Sequence, residues 1–344
     1  MSQVKRISLG LQGGGAHGAF TWGALDRLLR EERIEIAAMS GTSAGALNGA
    51  AVKSGMIRGG RAGARAALDD LWRRVGAIGD LRLGAWLQQV DLGQVSRALT
   101  LSPPFAMADA LSRMVSPYAY GPFYRNPLRG IVEAFDFDEV CASEGPRLCV
   151  GATRVSTGKI RVFEGQEITT DAIPASACLP TMFQAVEIPD PDTGETEAYW
   201  DGGYSGNPAL FPLFTAQMPG DIVIININPL ERAETPRTPH QIQNRINEIS
   251  FNSSLLRELR AIAFVQRLLD RGTVGEDEMK RLRIHMIADD VLMNDLSVAT
   301  KLVPTPLVLA RLKSAGEAAA EVFLARHFDD IGTRGSVDLR AMLD

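Results

Sequence analysis

The first fifty residues alternate in a way that few folds accommodate. Residues 4–11 read as a short buried strand, a glycine-rich turn comes next, and residues 19–30 place Phe20, Leu25, Leu28 and Leu29 at helical spacing. Residues 34–39 then read as a second strand and the alanine-rich 44–53 as a second helix. Strand, turn, helix, strand, turn, helix predicts a mainly parallel sheet with helices on its faces, a three-layer α/β/α arrangement. Such a sheet opens its ligand site at the carboxyl ends of the strands.

Further along the pattern changes. Residues 59–123 break into helical pieces punctuated by Gly and Pro, which predicts a helical insertion carrying Trp72, Trp86, Phe105, Met107, Met114 and Tyr118. Asn126-Pro127 predicts a cap and a first-turn proline opening a helix through Phe135. Residues 148–155 and 160–163 read as strands of a hairpin turning at Thr157-Gly158. Residues 221–228, apolar at successive positions, predict a return to a parallel strand buried on both faces. Beyond Pro229 the chain reads as mostly helical, with helices over 239–271 and 307–328 and a strand over 282–287 that can extend the same sheet. The expected organisation is therefore a catalytic core of residues 1–230 and a C-terminal extension, 231–344, packed on the same domain.

Composition narrows the class of function. Among 344 residues, 36 basic and 41 acidic side chains leave a net charge of -5, which disfavours a globally basic nucleic-acid-binding surface. Three cysteines, Cys141, Cys149 and Cys178, with no C-x-x-C pair, suit a reducing compartment. Residues 7–11 are interrupted at once by Gln12 and three glycines, too early for a signal-peptide core, and no apolar run approaches the roughly 20 residues that span a bilayer. The expected location is cytoplasmic, or at most peripheral to the membrane.

Two motifs carry chemistry. Gly13-Gly14-Gly15-Ala16-His17-Gly18 satisfies the letter of the G-x-G-x-x-G dinucleotide fingerprint, and its backbone amides can converge on an anion, whether a pyrophosphate or a transition-state oxyanion. A dinucleotide site also needs an acidic residue near the end of the second strand. Here Glu35 opens that strand and Ser40-Gly41 ends it. The strand runs into Gly41-Thr42-Ser43-Ala44-Gly45, a G-x-S-x-G sequence in the strand-turn-helix setting of a nucleophile elbow, although a serine there also suits a plain helix cap. A nucleophilic serine needs a base. Of His17, His240, His285 and His327, none stands in a persuasive setting, although Ser43, Asp201, His285 would match the chain order of an α/β-hydrolase triad. Asp201, in Trp200-Asp201-Gly202-Gly203, is the better-placed candidate, since two glycines permit close approach, while Asp-Gly-Gly as an isolated tripeptide reads first as a β-turn.

Together these residues resemble the patatin-like phospholipases. The resemblance rests on the glycine loop, on the elbow at Ser43, on Ala175-Ser176-Ala177-Cys178-Leu179-Pro180 leading to Phe183, and on Asp201-Gly202-Gly203, in an order covering about residues 4–230. It implies Ser43 as nucleophile and Asp201 as base in a dyad without histidine. It further implies the backbone of Gly13, Gly14 and Gly15 as oxyanion donors, with Gly18, Gly41, Gly45, Gly202 and Gly203 shaping the turns. The implied substrate is a fatty-acyl ester: a phospholipid, lysophospholipid or acylglycerol. No cofactor and no metal are expected. The family often has Arg or Lys where this chain has His17, so a role needing permanent positive charge lacks its residue there. The aromatic-rich segment 81–124 is read as an acyl-binding wall, a lid or ordinary core. Lys53, Arg58, Arg61, Arg65, Arg73 and Arg74, outnumbering Asp69 and Asp70, are read as a patch for anionic headgroups at a membrane surface or as a solvated helix face.

Overall fold

In the first strand every residue from Ile7 to Leu11 is buried, on both faces, which only an interior strand of a covered sheet allows. The computed structural model, which describes residues 4–78, 91–190, 193–232 and 235–343, places it so. Strands β1 (Lys5–Leu11), β2 (Ile34–Thr42), β3 (Arg147–Arg154), β4 (Ile160–Glu164), β5 (Val186–Pro189), β6 (Thr196–Asp201), β7 (Asp221–Ile225) and β8 (Arg283–Ile287) form one sheet. Their spatial order is β5-β6-β3-β2-β1-β7-β8, with β4 paired to β3. The run from β3 to β8 is parallel, and β4, β5 and β6 join antiparallel. The sheet is thus mixed, with a parallel centre as expected, and the hairpin turns at Gly158, whose φ is +68°.

Helices cover both faces. They are α1 (Gly18–Arg30), α2 (Ala44–Ile78), α3 (Leu92–Thr100), α4 (Pro103–Met114), the short α5 (Arg129–Val132), α6 (Phe137–Val140) and α7 (Ala172–Ser176), then α8 (Pro239–Asp270), α9 (Asp290–Asp295), α10 (Val298–Leu302) and α11 (Pro306–His327). Because side chains alternate along a strand, β7 sends Val223 and Ile225 into the core shared with α1, α2 and α11. It sends Ile222 and Ile224 into a second core with Leu255, Leu259 and Ile262 of α8. That division is the three-layer architecture. β7 stops at Ile225 rather than Asn228 because the Gln12 side chain takes over, its Oε1 accepting from the Ile227 and Asn228 amides at 2.9 and 3.1 Å. After Asn126, whose Oδ1 accepts from the Leu128 amide at 2.9 Å, the helix proper spans only Arg129–Val132.

The helix that leaves the glycine loop is seated on the last long helix. A Cβ on Gly23 of α1 would fall on the Lys313 carbonyl of α11, and one on Gly316 of α11 would fall on the Phe20 carbonyl, so the two backbones touch. Alanine for glycine ordinarily favours a helix by about 1 kcal/mol. Here Gly316→Ala is expected to lower the thermal midpoint, because overpacking a tight contact costs about 1–3 kcal/mol. An unchanged or raised midpoint in thermal unfolding would show that the helices separate freely.

The basic side chains grouped between residues 53 and 74 have partners within the chain, although Arg58 and Arg73 stay largely exposed. Arg58 pairs with Glu139, Arg65 with Asp26, and Arg73 and Arg74 with Asp70. Lys53 donates to the Ala142 carbonyl, and Arg61 to the carbonyls of Leu29, Glu31 and Ile34.

Candidate active site

Ser43 sits where β2 turns into α2, with φ +55°, and is the one described non-glycine residue with positive φ. Such a conformation costs free energy and persists only where its surroundings over-determine it. They do so here. The Ser43 amide donates to Ser176 Oγ at 2.9 Å, and the Ser176 hydroxyl donates to the Gly151 carbonyl of β3 at 2.6 Å. Across the turn Gly13 lies so close that a Cβ there would stand 2.7 Å from Ser43 Cβ. Among the described residues no first-turn amide donates to the Ser43 hydroxyl, so the side chain is not a helix cap.

Sheet register brings Asp201 to the same edge. Thr42 pairs with Gly151, and the next residue of β3, Ala152, pairs with Asp201 at the end of β6. The Asp201 amide donates to the Cys178 carbonyl and its own carbonyl accepts from Thr153 Oγ1, both at 2.8 Å. The residue is 1% exposed. Oδ1 accepts from the Gly203 amide at 2.8 Å, whereas Oδ2 is buried with no hydrogen-bond partner among the described residues. Burial pushes the pKa up to about 7, against the opposing pull of the Gly203 amide and of the Ser43 hydroxyl. Ser43 and Asp201 line the same cavity.

The glycine loop departs from expectation at one position. The Gly13 amide donates to Asn207 Oδ1 at 2.6 Å, so it is not a free oxyanion donor as the sequence suggested. The amides of Gly14 and Gly15 have no acceptor among the described residues, and both residues line the cavity over Ser43. Buried amides hold the loop from behind: Asn207 Nδ2 and Asn228 Nδ2 both donate to the Gly13 carbonyl, at 3.3 and 2.8 Å, and Gln12 Nε2 donates to Asn252 Oδ1 at 3.3 Å. These residues escaped sequence reasoning. The one signal was a glutamine ending an otherwise apolar strand. Of the remaining motif glycines, Gly41 and Gly45 flank the elbow, Gly18 packs on Ala44, and Gly202 and Gly203 turn the chain after Asp201.

The histidines lie elsewhere. His17 is buried, and Nε2 stands 2.8 Å from Thr300 Oγ1. Thr300 gives its own proton to the Ser297 carbonyl, so Nε2 is the donor and Nδ1 carries no proton and has no hydrogen-bond partner among the described residues. Burial, then the charges of Lys301 and Arg232, hold the His17 pKa well below its usual value, and the ring is neutral. His285 pairs with Asp221 at 3.1 Å and stands in register with Val223, Leu9 and Met39. That row is four residues short of Ser43 and three strands away, roughly 14 Å across the sheet alone at normal strand spacing. The triad order fails on register. His327 pairs with Asp330 at 2.8 Å. The dinucleotide alternative also loses support, because Glu35 is engaged with Arg6 at the opening of β2 and the first loop amide is already taken.

Gly14, Gly15, Ser43 and Asp201 share a cavity of about 640 Å³. Leu47, Trp72, Val75 and Ile78 of α2, with Leu128, Met182, Phe183, Leu302 and Pro304, give it apolar walls. Its remaining side comes from Gln243, Asn244, Asn247 and Phe251 of α8 and from Lys301. None of the described residues of segment 81–124 lines it, which gives the acyl-wall reading no support, and Trp86 and Leu87 lie outside the described residues. α2 and the residues around Phe183 supply most of the apolar wall, and the C-terminal third closes the remaining side. Among the described residues no group of three His, Cys, Asp or Glu side chains is placed to hold a metal ion. No helix among them is long and apolar enough to cross a membrane.

No curated protein matches the chain in sequence. Among solved structures, VipD from Legionella pneumophila is 14% identical with a TM-score of 0.44, over 94% of this chain and 67% of its own. Full-length ExoU from the type III secretion system of Pseudomonas aeruginosa, in complex with SpcU, is 14% identical with a TM-score of 0.32, over 93% of this chain and 53% of that one. A second ExoU–SpcU structure gives 18% identity and 0.30, over 95% and 61%. The chain thus spans between about half and two thirds of the length of these proteins. The patatin-like phospholipase family model matches residues 9–214, more than half of the chain and all the motif blocks from the glycine loop to Asp201-Gly202-Gly203. The chain belongs to the patatin-like phospholipase family of lipid acyl hydrolases.

Proposed function

We propose that the protein is a serine acyl hydrolase that cleaves fatty-acyl esters, of the phospholipid, lysophospholipid or acylglycerol kind, through a Ser43–Asp201 dyad and an acyl-enzyme. The observation that carries this reading is Asp201 Oδ2, a buried carboxylate oxygen with no hydrogen-bond partner among the described residues, in one largely apolar cavity with Ser43. A pKa of about 7 suits a group that must take and return a proton near neutrality.

In the reaction Asp201 takes the Ser43 hydroxyl proton as Oγ bonds to the ester carbonyl carbon. The oxyanion faces the amides of Gly14 and Gly15, and each preorganised donor of this kind is worth on the order of 10² to 10³ in rate. Collapse breaks the ester C–O bond, and the proton on Asp201 passes to the departing alcohol. Water then attacks the acyl carbon while Asp201 takes its proton, and the carboxylic acid leaves as Ser43 regains its hydrogen. The α2 face and Phe183 receive the acyl chain. The free thiols of Cys141, Cys149 and Cys178 suit work in a reducing, cytoplasmic setting.

The test is labelling with a fluorophosphonate, mapping of the modified residue, and a panel of acyl esters varied in chain length and headgroup. Modification at Ser43 with turnover of at least one ester class is expected. Labelling elsewhere, or no turnover above buffer across the panel, would sink the reading.

A further inference from the structure

The family often has a cation at the position of His17, and here that ring is buried and neutral. A cation nevertheless stands behind the glycine loop, and it comes from α10, outside the stretch that matches the family. Lys301 Nζ donates to Asn228 Oδ1 at 3.1 Å. Asn228 Nδ2 donates in turn to the Gly13 carbonyl at 2.8 Å and to Gln12 Oε1 at 3.2 Å. The orientation of the Asn228 amide is therefore set from both sides, since the Gly13 carbonyl demands its nitrogen and the ammonium its oxygen. The Gly13 carbonyl belongs to the same peptide as the Gly14 N–H, one of the two unengaged donors at the cavity floor. The backbone is in contact as well: a Cβ on Gly15 would fall on the Lys301 carbonyl.

The surrounding charges leave the cation in excess. Glu248 is the carboxylate that faces Lys301 electrostatically. It is also bound by Arg232, at 2.7 and 2.8 Å, and by Arg245 at 3.4 Å. Burial lowers the Lys301 pKa, Glu248 pulls it back up, and Arg232 adds to the lowering.

We propose that Lys301 is a positioning residue of the oxyanion hole: through Asn228 it polarises the Gly13–Gly14 peptide and strengthens the Gly14 N–H toward the developing oxyanion. Chained hydrogen bonds that begin at a charge reinforce one another in a low-dielectric interior. The effect falls on the transition state, because the ester carbonyl carries its full negative charge only there. This inference rests on the Ser43 acyl-hydrolase reading, and the C-terminal region then supplies the charge that position 17 lacks.

The experiment uses the full chain, p-nitrophenyl butyrate as a neutral ester, and a trifluoromethyl ketone of matched chain length, whose adduct with a serine carries the oxyanion. Lys301→Gln keeps a donor for Asn228 but no charge. It is expected to lower kcat about tenfold or more, to leave KM within about threefold, and to raise the Ki of the ketone in step with the loss of kcat. Lys301→Arg is expected to recover most of the loss. Asn228→Asp, which sets an acceptor against the Gly13 carbonyl, breaks the same chain at its middle and should show the same split if Lys301→Gln fails to fold. Unchanged kcat in folded Lys301→Gln, a loss carried by KM, or a ketone Ki that does not move would overturn the proposal. A loss confined to phosphate-bearing esters such as a lysophosphatidic acid would do the same, and would assign Lys301 to headgroup binding. Wild-type protein that neither turns over the ester nor reacts with the fluorophosphonate would instead overturn the acyl-hydrolase reading itself.

Discussion

Ser43→Ala is expected to abolish acyl-ester hydrolysis, with kcat/KM falling on the order of 10⁴-fold or more, as loss of the nucleophile does in other serine hydrolases. Labelling by fluorophosphonate should disappear with it. The fold should survive, because the Ser43 hydroxyl caps no helix and the contacts that hold the turn are made by its backbone and by Ser176. Alanine must adopt the same φ of +55°, so the substitution neither relieves nor adds backbone strain. Turnover retained by a folded Ser43→Ala protein would remove the nucleophile assignment outright.

Asp201→Asn is expected to cost nearly as much in turnover, on the order of 10⁴-fold, while making the protein more stable above neutral pH. The pKa of Asp201 in the folded chain, about 7, lies above the unfolded value of about 3.9. Between these values the native state holds a proton that the unfolded chain has released, so stability falls as pH rises from about 4 to about 7. Each pKa unit corresponds to about 1.4 kcal/mol, and the penalty at pH 8 reaches a few kcal/mol. Asparagine escapes it, and the thermal midpoint of Asp201→Asn should exceed that of the wild type at pH 8 by more than at pH 5. The same shift sets the acid limb of kcat/KM near pH 7, close to that of an ordinary histidine, whose pKa is about 6.5. An exposed aspartate would have been told apart from histidine by that limb, and burial erases the difference. Substitution has to decide. His285→Ala leaves Asp221 short of a buried partner and is expected to lose stability, yet the folded fraction should keep most of its turnover. Loss of hydrolysis in folded His285→Ala would put the histidine back into the mechanism.

The elbow could be read from sequence because its signals are local: an apolar strand, a glycine pair and an alanine-rich helix lie within twenty residues of Ser43. Asp201 was legible for a similar reason, since two glycines directly after it mark a tight approach. Gly13 was misread as a donor because whether an amide is free depends on what it meets. Its partner, Asn207, lies far along the chain in a loop with no pattern of its own. The role of segment 81–124 was left open for a different reason. Aromatic and methionine content says that a segment is apolar, not what it faces, and Met107 and Met114 turn out exposed. Lys301 carried no signal at all, being one lysine near the end of a five-residue helix. Long-range hydrogen bonds of this kind are fixed by tertiary packing, which short-range periodicity does not encode.

The contact of α1 with α11 means that the helix leaving the glycine loop is seated on a helix far along the chain. Two stretches so far apart must change together or not at all: a lineage that rebuilt its last long helix could not keep the loop in place by retaining the three glycines alone. Tolerance to insertion should therefore be uneven. Segments such as α4, whose side chains stay largely exposed, have room to lengthen, whereas an extra residue in the middle of α11 would rotate Gly316 away and press a side chain against the helix that carries the loop. A survey that finds the loop and the elbow in some other chain has found the tools, but not the bench to which they are bolted.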